Sequence, residues 1–175
     1  MTDDAAPAPA PADQHETPLE HQAHRLAGAI YGTILATTVV ATAGHDPETV
    51  NRSLALVAGT SVVFWLAHSY SLAVAARLVA RRPITSREAL GIAVSEWPML
   101  QSSWPILLAL ALGSLGILER ETSIDVAMAV GIGALFTYGY IMGRQEGQSH
   151  GRRFLNAAIT GAFGLAILGL KVVVH

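Results

Sequence analysis

From Ser53 to Ala80 the chain carries one charged side chain, Arg77, over a stretch longer than the roughly twenty residues that a bilayer core requires. A segment of that length and character has to tilt in a membrane or project into the headgroup region. Four further apolar segments follow the same rule, at about 26–43, 99–118, 124–142 and 154–174. Composition agrees: 51% of residues are hydrophobic and 14% are charged, where a soluble domain carries closer to a quarter charged. The expected fold class is therefore all-α, a polytopic transmembrane helix bundle of about five spans occupying 24–175, embedded in a lipid bilayer.

Residues 1–23 read as a separate zone. The run Ala5-Ala6-Pro7-Ala8-Pro9-Ala10-Pro11-Ala12 sits among Asp3, Asp4, Asp13, Glu16 and Glu20, buries no apolar surface and lacks backbone donors at its prolines. A disordered acidic tail is expected, without the basic start of a signal peptide. The first apolar segment does end in Ala41-Thr42-Ala43, which imitates a signal-peptidase site after Ala43. The stretch is long for a signal sequence, so an uncleaved span is expected. Between the second and third spans, Thr85-x-x-Glu88 forms a capping box that opens a short helix at about 86–97, too short to cross and placed at the interface. Pro98 then restarts the chain into the third span, which contains Pro105.

The arginines fall unevenly. Arg25, Arg77, Arg81, Arg82, Arg87, Arg144, Arg152 and Arg153 lie on one side of a five-span arrangement. The other side holds Arg52 and Arg120 among Asp46, Glu48, Glu119, Glu121 and Asp125. The positive-inside rule puts the first set in the cytoplasm, with the N-terminus inside, the C-terminus outside and the plasma (inner) membrane as location.

Helices in lipid associate through small residues and interhelical hydrogen bonds. Gly28 and Gly32 are four apart on the first span. Gly139, Gly143, Gly147 and Gly151 continue that spacing from the fourth, and Ala157 and Gly161 repeat it on the fifth. Such rows serve packing inside one chain, or assembly with a second copy or another membrane protein; both readings stand. Thr33, Thr37, Thr38 and Thr42 would bond across helices or to their own backbone.

His68 is the most informative polar residue, because an ionisable group deep in a span is costly and normally faces protein or a water-filled cavity. Ser61 and Ser71 would share its helical face. One reading makes His68 a proton-accepting group on a pathway for a small ion or solute, and the other makes it interhelical glue. Glu96, just before Trp97 and Pro98, is either a titrating gate or a solvated carboxylate. Ser102 and Ser103 would line a cavity beside it, with Asn156 and Thr160 facing them. Lys171, in the last turn of the fifth span, would snorkel to the outer surface or pair with an acidic residue there. His15, His21 and His24 are assigned to the tail.

No catalytic motif appears: there is no Gly-x-x-x-x-Gly-Lys, His-Glu-x-x-His or Gly-x-Ser-x-Gly. Cysteine is absent, no metal site or cofactor is expected, and a net charge of −2 gives nucleic acid no footprint. Through Tyr31-Gly32-Thr33, Val63-Phe64-Trp65-Leu66-Ala67-His68, Glu96-Trp97-Pro98 and Leu170-Lys171-Val172-Val173-Val174-His175, the chain from about Arg25 onward resembles the small, uncharacterised integral membrane proteins of high-GC actinobacterial type. That resemblance implies a membrane location and no activity. Two functions stay open: a small transporter or channel-like protein with His68 in its pathway, or an accessory protein that assembles through its glycine rows. An enzyme is not expected.

Overall fold

The structure is a computed structural model and describes residues 18–42 and 49–174. The tail through residue 17, the Ala43 cleavage position and the connection to residue 48 lie outside the described residues. Seven helices and no strand occur among the described residues: α1 (Pro18–Ala41), α2 (Thr49–Ala80), α3 (Ser86–Ser95), α4 (Trp97–Gln101), α5 (Trp104–Ser114), α6 (Arg120–Gln145) and α7 (His150–Val174). By length and hydropathy, α2 and the Thr122–Gln145 part of α6 are each able to cross a membrane.

Two features depart from the sequence reading. First, α1 begins at Pro18, so residues 18–23, including His21, and the neighbouring His24 belong to a helix where a tail was expected. Proline is tolerated in a first turn because its missing N–H would be unpaired there anyway, and Glu20 in that turn suits the positive helix end. Second, the expected span at 99–118 is two helices, α4 and α5, each with a proline in its first turn. Pro105 has no N–H to give the Gln101 carbonyl, and the chain turns at 102–103. The hydroxyls there repair part of the loss: Ser102 Oγ donates to Met99 O and Ser103 Oγ to Leu100 O, both at 2.8 Å.

Consecutive long helices run antiparallel. At one end Ser114 of α5 donates to Asn51 of α2 at 2.6 Å. At the other, His68 of α2 meets Glu96, just ahead of α4. Gly143 lies against Arg153, and Gly164 against Leu135, so α6 and α7 also cross in opposite directions. The glycine rows serve these contacts. A Cβ at Gly139 would lie 2.8 Å from Ala157 Cα, and one at Gly161 would strike the Phe136 ring. The row stops at Gly143: Gly147 has φ 67 and caps α6, with Gln148 N–H reaching back to Gly143 O at 3.1 Å, while Gly151 meets nothing. Gly28 and Gly32 face α4, and a Cβ at Gly32 would overlap Met99 O and Ser102 Oγ.

The interior is small and partly hydroxylic, and the exterior is large and apolar. Thr33, Thr37, Ser53 and Ser103 are buried beside Val40, Val57, Ile106 and Leu110, whereas Val63, Phe64, Leu66, Phe154, Ile159 and Phe163 are exposed. The buried threonines bond to their own helix, Thr33 to Ala29 O and Thr37 to Thr33 O. In the most apolar window of α2 only 6% of the residues are buried within the protein, so its apolar surface faces outward.

Two predictions follow from these contacts. Gly32→Ala should lose about 1–3 kcal/mol of stability in detergent by displacing the α4 backbone. Gly59→Ala, on an open face of α2, should gain about 0.5–1 kcal/mol through helix propensity. Thermal unfolding of the two variants measures the opposite signs. Separately, the hydrogen bond from Arg82, with further donors on Thr85, holds the exposed Glu88 carboxyl well below its ordinary value, at about 2. This depressed value means that the α3 capping box is intact above the ordinary carboxylate range and is lost as pH falls toward 2. In Arg82→Ala the Glu88 titration, followed by carboxyl NMR in micelles, should move upward toward the ordinary value.

Candidate functional site

Glu96 occupies the joint between α3 and α4. Its backbone closes α3, with N–H donating to Ile92 O at 3.2 Å, and opens α4 by accepting from Met99 N–H at 3.1 Å. Its side chain does not cap α4; it turns into the bundle and is 2% exposed. There each carboxylate oxygen meets a different helix. His24 Nε2 of α1 lies 2.5 Å from Oε1, and His68 Nε2 of α2 lies 3.4 Å from Oε2. The first is a short hydrogen bond in which the imidazole N–H donates; the second is a longer contact that becomes an ion pair when His68 is protonated.

An uncompensated buried carboxylate costs several kcal/mol. Among the described residues, these two imidazoles are the ionisable side chains that meet Glu96. Neither is a fixed charge, so the cluster is negative, neutral or positive according to how many protons it holds. The histidines are open where the carboxylate is closed, with side chains 45% and 42% exposed. Two half-exposed imidazoles are thereby joined through one enclosed carboxylate. A proton on His24 Nε2 can pass to Oε1, and rotation of the neutral carboxyl presents it to His68 once that imidazole is deprotonated.

Aromatic rings frame the joint. Tyr31 of α1 stacks obliquely near His68, with centroids 6.2 Å apart. Trp97 meets Trp65 edge to face at 5.9 Å and Trp104 at 6.4 Å. Trp65 Nε1–H donates to Ala93 O at 3.0 Å, which pins α3 to α2.

Of the sequence candidates, His68 and Glu96 come together. Ser61 is buried two turns from His68 on the same helix, and Ser102 is buried beside Gly32. Ser71 departs from expectation: it is exposed and bonded back to Ala67 O, while Ser69 is the buried serine beside His68. Asn156 and Thr160 pack on Gly139 and Gly143 of α6 instead of facing Glu96. The Lys171 side chain lies outside what the structure describes. His24 was missed because it was counted with the tail, although His24, Gly28 and Gly32 continue one four-residue row. Among the described residues no group of three or more His, Cys, Asp or Glu is arranged to hold a metal ion. The two imidazole nitrogens point at opposite oxygens of the carboxylate, which stands between them.

No protein-family model matches the chain, and no curated protein or solved structure shows significant similarity to it.

The geometry ranks the two contacts. Double-mutant cycles in detergent should give a coupling of about 1–3 kcal/mol for His24 with Glu96. The coupling for His68 with Glu96 should be smaller, because its nitrogen stands 3.4 Å from the carboxylate against 2.5 Å for His24. Equal couplings would contradict the ranking.

Proposed function

We propose that this chain is a multi-pass protein of the plasma (inner) membrane that carries protons across the bilayer through His24, Glu96 and His68. The observation that carries the reading is the enclosed Glu96 carboxylate with one accessible imidazole on each oxygen and no fixed cation beside it among the described residues. A structural ion pair would favour arginine, which never releases its proton. Histidine, unlike arginine, is a side chain that can both take up and release a proton.

Five crossings are proposed: α1, α2, the broken α4–α5 pair, α6 and α7, with α3 lying at the inner interface. The outward apolar faces of α2 and α7 favour lipid contact, since large patches of this kind are rare on soluble monomers. Arginine placement favours an inner N-terminus and an outer C-terminus. In that orientation the cluster sits toward the inner side, with His68 about 18 Å from the Ala80 end of α2 at 1.5 Å per residue. The interruption between α4 and α5 suits a pathway as well, because irregular backbone at membrane depth is tolerated where it is buried in protein or lines a cavity.

The alternative, an accessory protein assembling through its glycine rows, is the weaker proposal, since Gly32, Gly139, Gly143 and Gly161 are each occupied by a neighbouring helix of the same chain.

Reconstitution decides the matter. Proteoliposomes with a luminal pH dye should dissipate an imposed pH gradient faster than protein-free liposomes. Glu96→Gln should bring the rate to the lipid background, and His68→Ala should lower it about ten-fold or more, in the range of a lost proton carrier. Equal rates for wild type and Glu96→Gln would remove the proposal.

A further inference from the structure

Beside the proton cluster, on the adjoining face of α1, an open cavity of about 530 Å³ lies between α1, α4 and α6. Its polar lining is His21, Gln22 and Arg25 from α1, Gln101 and Ser102 from α4 and its end, and Tyr138 and Gln145 from α6. A second cavity of about 380 Å³ shares His21, Arg25, Pro98 and Gln101 with the first and extends along Gly91, Val94 and Trp97. Arg25 therefore stands at the wall common to both.

The lining has a definite charge. Among the described residues no aspartate or glutamate contributes to either cavity, and Arg25 is the one permanently charged group in them. The other polar groups are carboxamides, hydroxyls and the His21 imidazole, all able to donate hydrogen bonds and none permanently charged. Arg25 makes no ion pair among the described residues, so its guanidinium fork is free to take a planar oxyanion. Apolar walls from Leu26, Ala29 and Pro98 complete a volume within the usual range of small-molecule sites.

We infer that this cavity binds a small oxyanion, a carboxylate or a phosphate ester, with Arg25 as its charge partner and Gln101 as an orienting donor. The size exceeds what a bare ion fills, so the ligand carries a short organic body against the Leu26 and Pro98 wall. The inference rests on the proton-carrier reading only for its place in transport, where an anion bound one residue from His24 would offset the charge of an incoming proton. Binding itself does not depend on that reading.

The chain provides its own reporter. Its three tryptophans, Trp65, Trp97 and Trp104, form one edge-to-face series, and Trp97 lines the second cavity. Full-length protein in nanodiscs of phosphatidylcholine should show a saturable change in tryptophan emission when titrated with butanoate or inorganic phosphate at constant ionic strength in chloride. Arg25→Gln should weaken the apparent affinity about ten-fold or more, the loss of one charge-assisted hydrogen bond. Gln101→Leu should weaken it less, and Arg144→Gln, at the same end but outside the lining, should leave it unchanged. A second arm replaces part of the phosphatidylcholine by phosphatidylglycerol. A response to that lipid alone, also lost in Arg25→Gln, would identify a headgroup as the source of the anion. Equal responses in wild type and Arg25→Gln in both arms, or no saturable response in either, would overturn the site. Because no proton flux is read, such a failure would leave the Glu96 reconstitution result standing, and the converse also holds.

Discussion

The α4 backbone passes α1 at Gly32 in the space that any side chain would fill. A Cβ there would overlap the Met99 carbonyl, so the approach of the two helices is set by the absence of one methyl group. Glu96 stands three residues before Met99, and His24 stands two helical turns before Gly32 on the same face of α1. The short contact between His24 and Glu96 is therefore a consequence of that approach. At Gly28, between them, a Cβ would sit 3.9 Å from Glu96 Oε2, at ordinary contact distance, so the close approach is set at Gly32. Tight backbone packing of this kind is how helices associate where the surrounding medium is as apolar as their side chains.

The approach also explains why a carboxylate can be buried at all. Glu96 sits where α3 ends, and its backbone groups are consumed in closing one helix and opening the next. The side chain is thus free to point inward, away from the capping role that Glu88 performs for α3. The two glutamates show opposite solutions. Glu88 is exposed, bonded to a permanent cation and held at about 2. Glu96 is enclosed and met by two imidazoles, neither of which carries a permanent charge. The first fixes a helix start, whereas the second is suited to exchange.

Much of the helical layout was readable from apolar length, because 53–80, 124–142 and 154–174 each fall inside a single helix. The break at 102–103 was harder to place. Pro98 and Pro105 announced irregularity, but prolines inside spans are often absorbed. Two of them seven residues apart, with serines between that bond to their own preceding carbonyls, stop the helix instead. The start of α1 was misplaced for a different reason: charge and proline content dominate residues 1–17, and that signal spilled over residues whose spacing is helical. Two of the three site residues were consequently visible. His68 and Glu96 stood out as ionisable groups in apolar surroundings, while His24 was hidden by its neighbours in sequence. Ser71 and Ser69 illustrate a finer limit, because the two stand on opposite sides of His68's neighbourhood, about 200° apart on the helix, and are separated only by knowing which face the partner helices cover.

That covering is unequal, and it ties the fold to the proposed activity. Helix α2 gives the protein a narrow strip, carrying Ser53, Val57, Ser61 and Ser69, and leaves most of its apolar surface outside. His68 lies at the border of that strip, half-exposed, with its nitrogen turned to the carboxylate. A histidine buried completely would lose exchange with its surroundings, and one facing fully outward would lose Glu96. The border position keeps both contacts, and it follows from the register that the small buried residues of α2 impose on the whole helix.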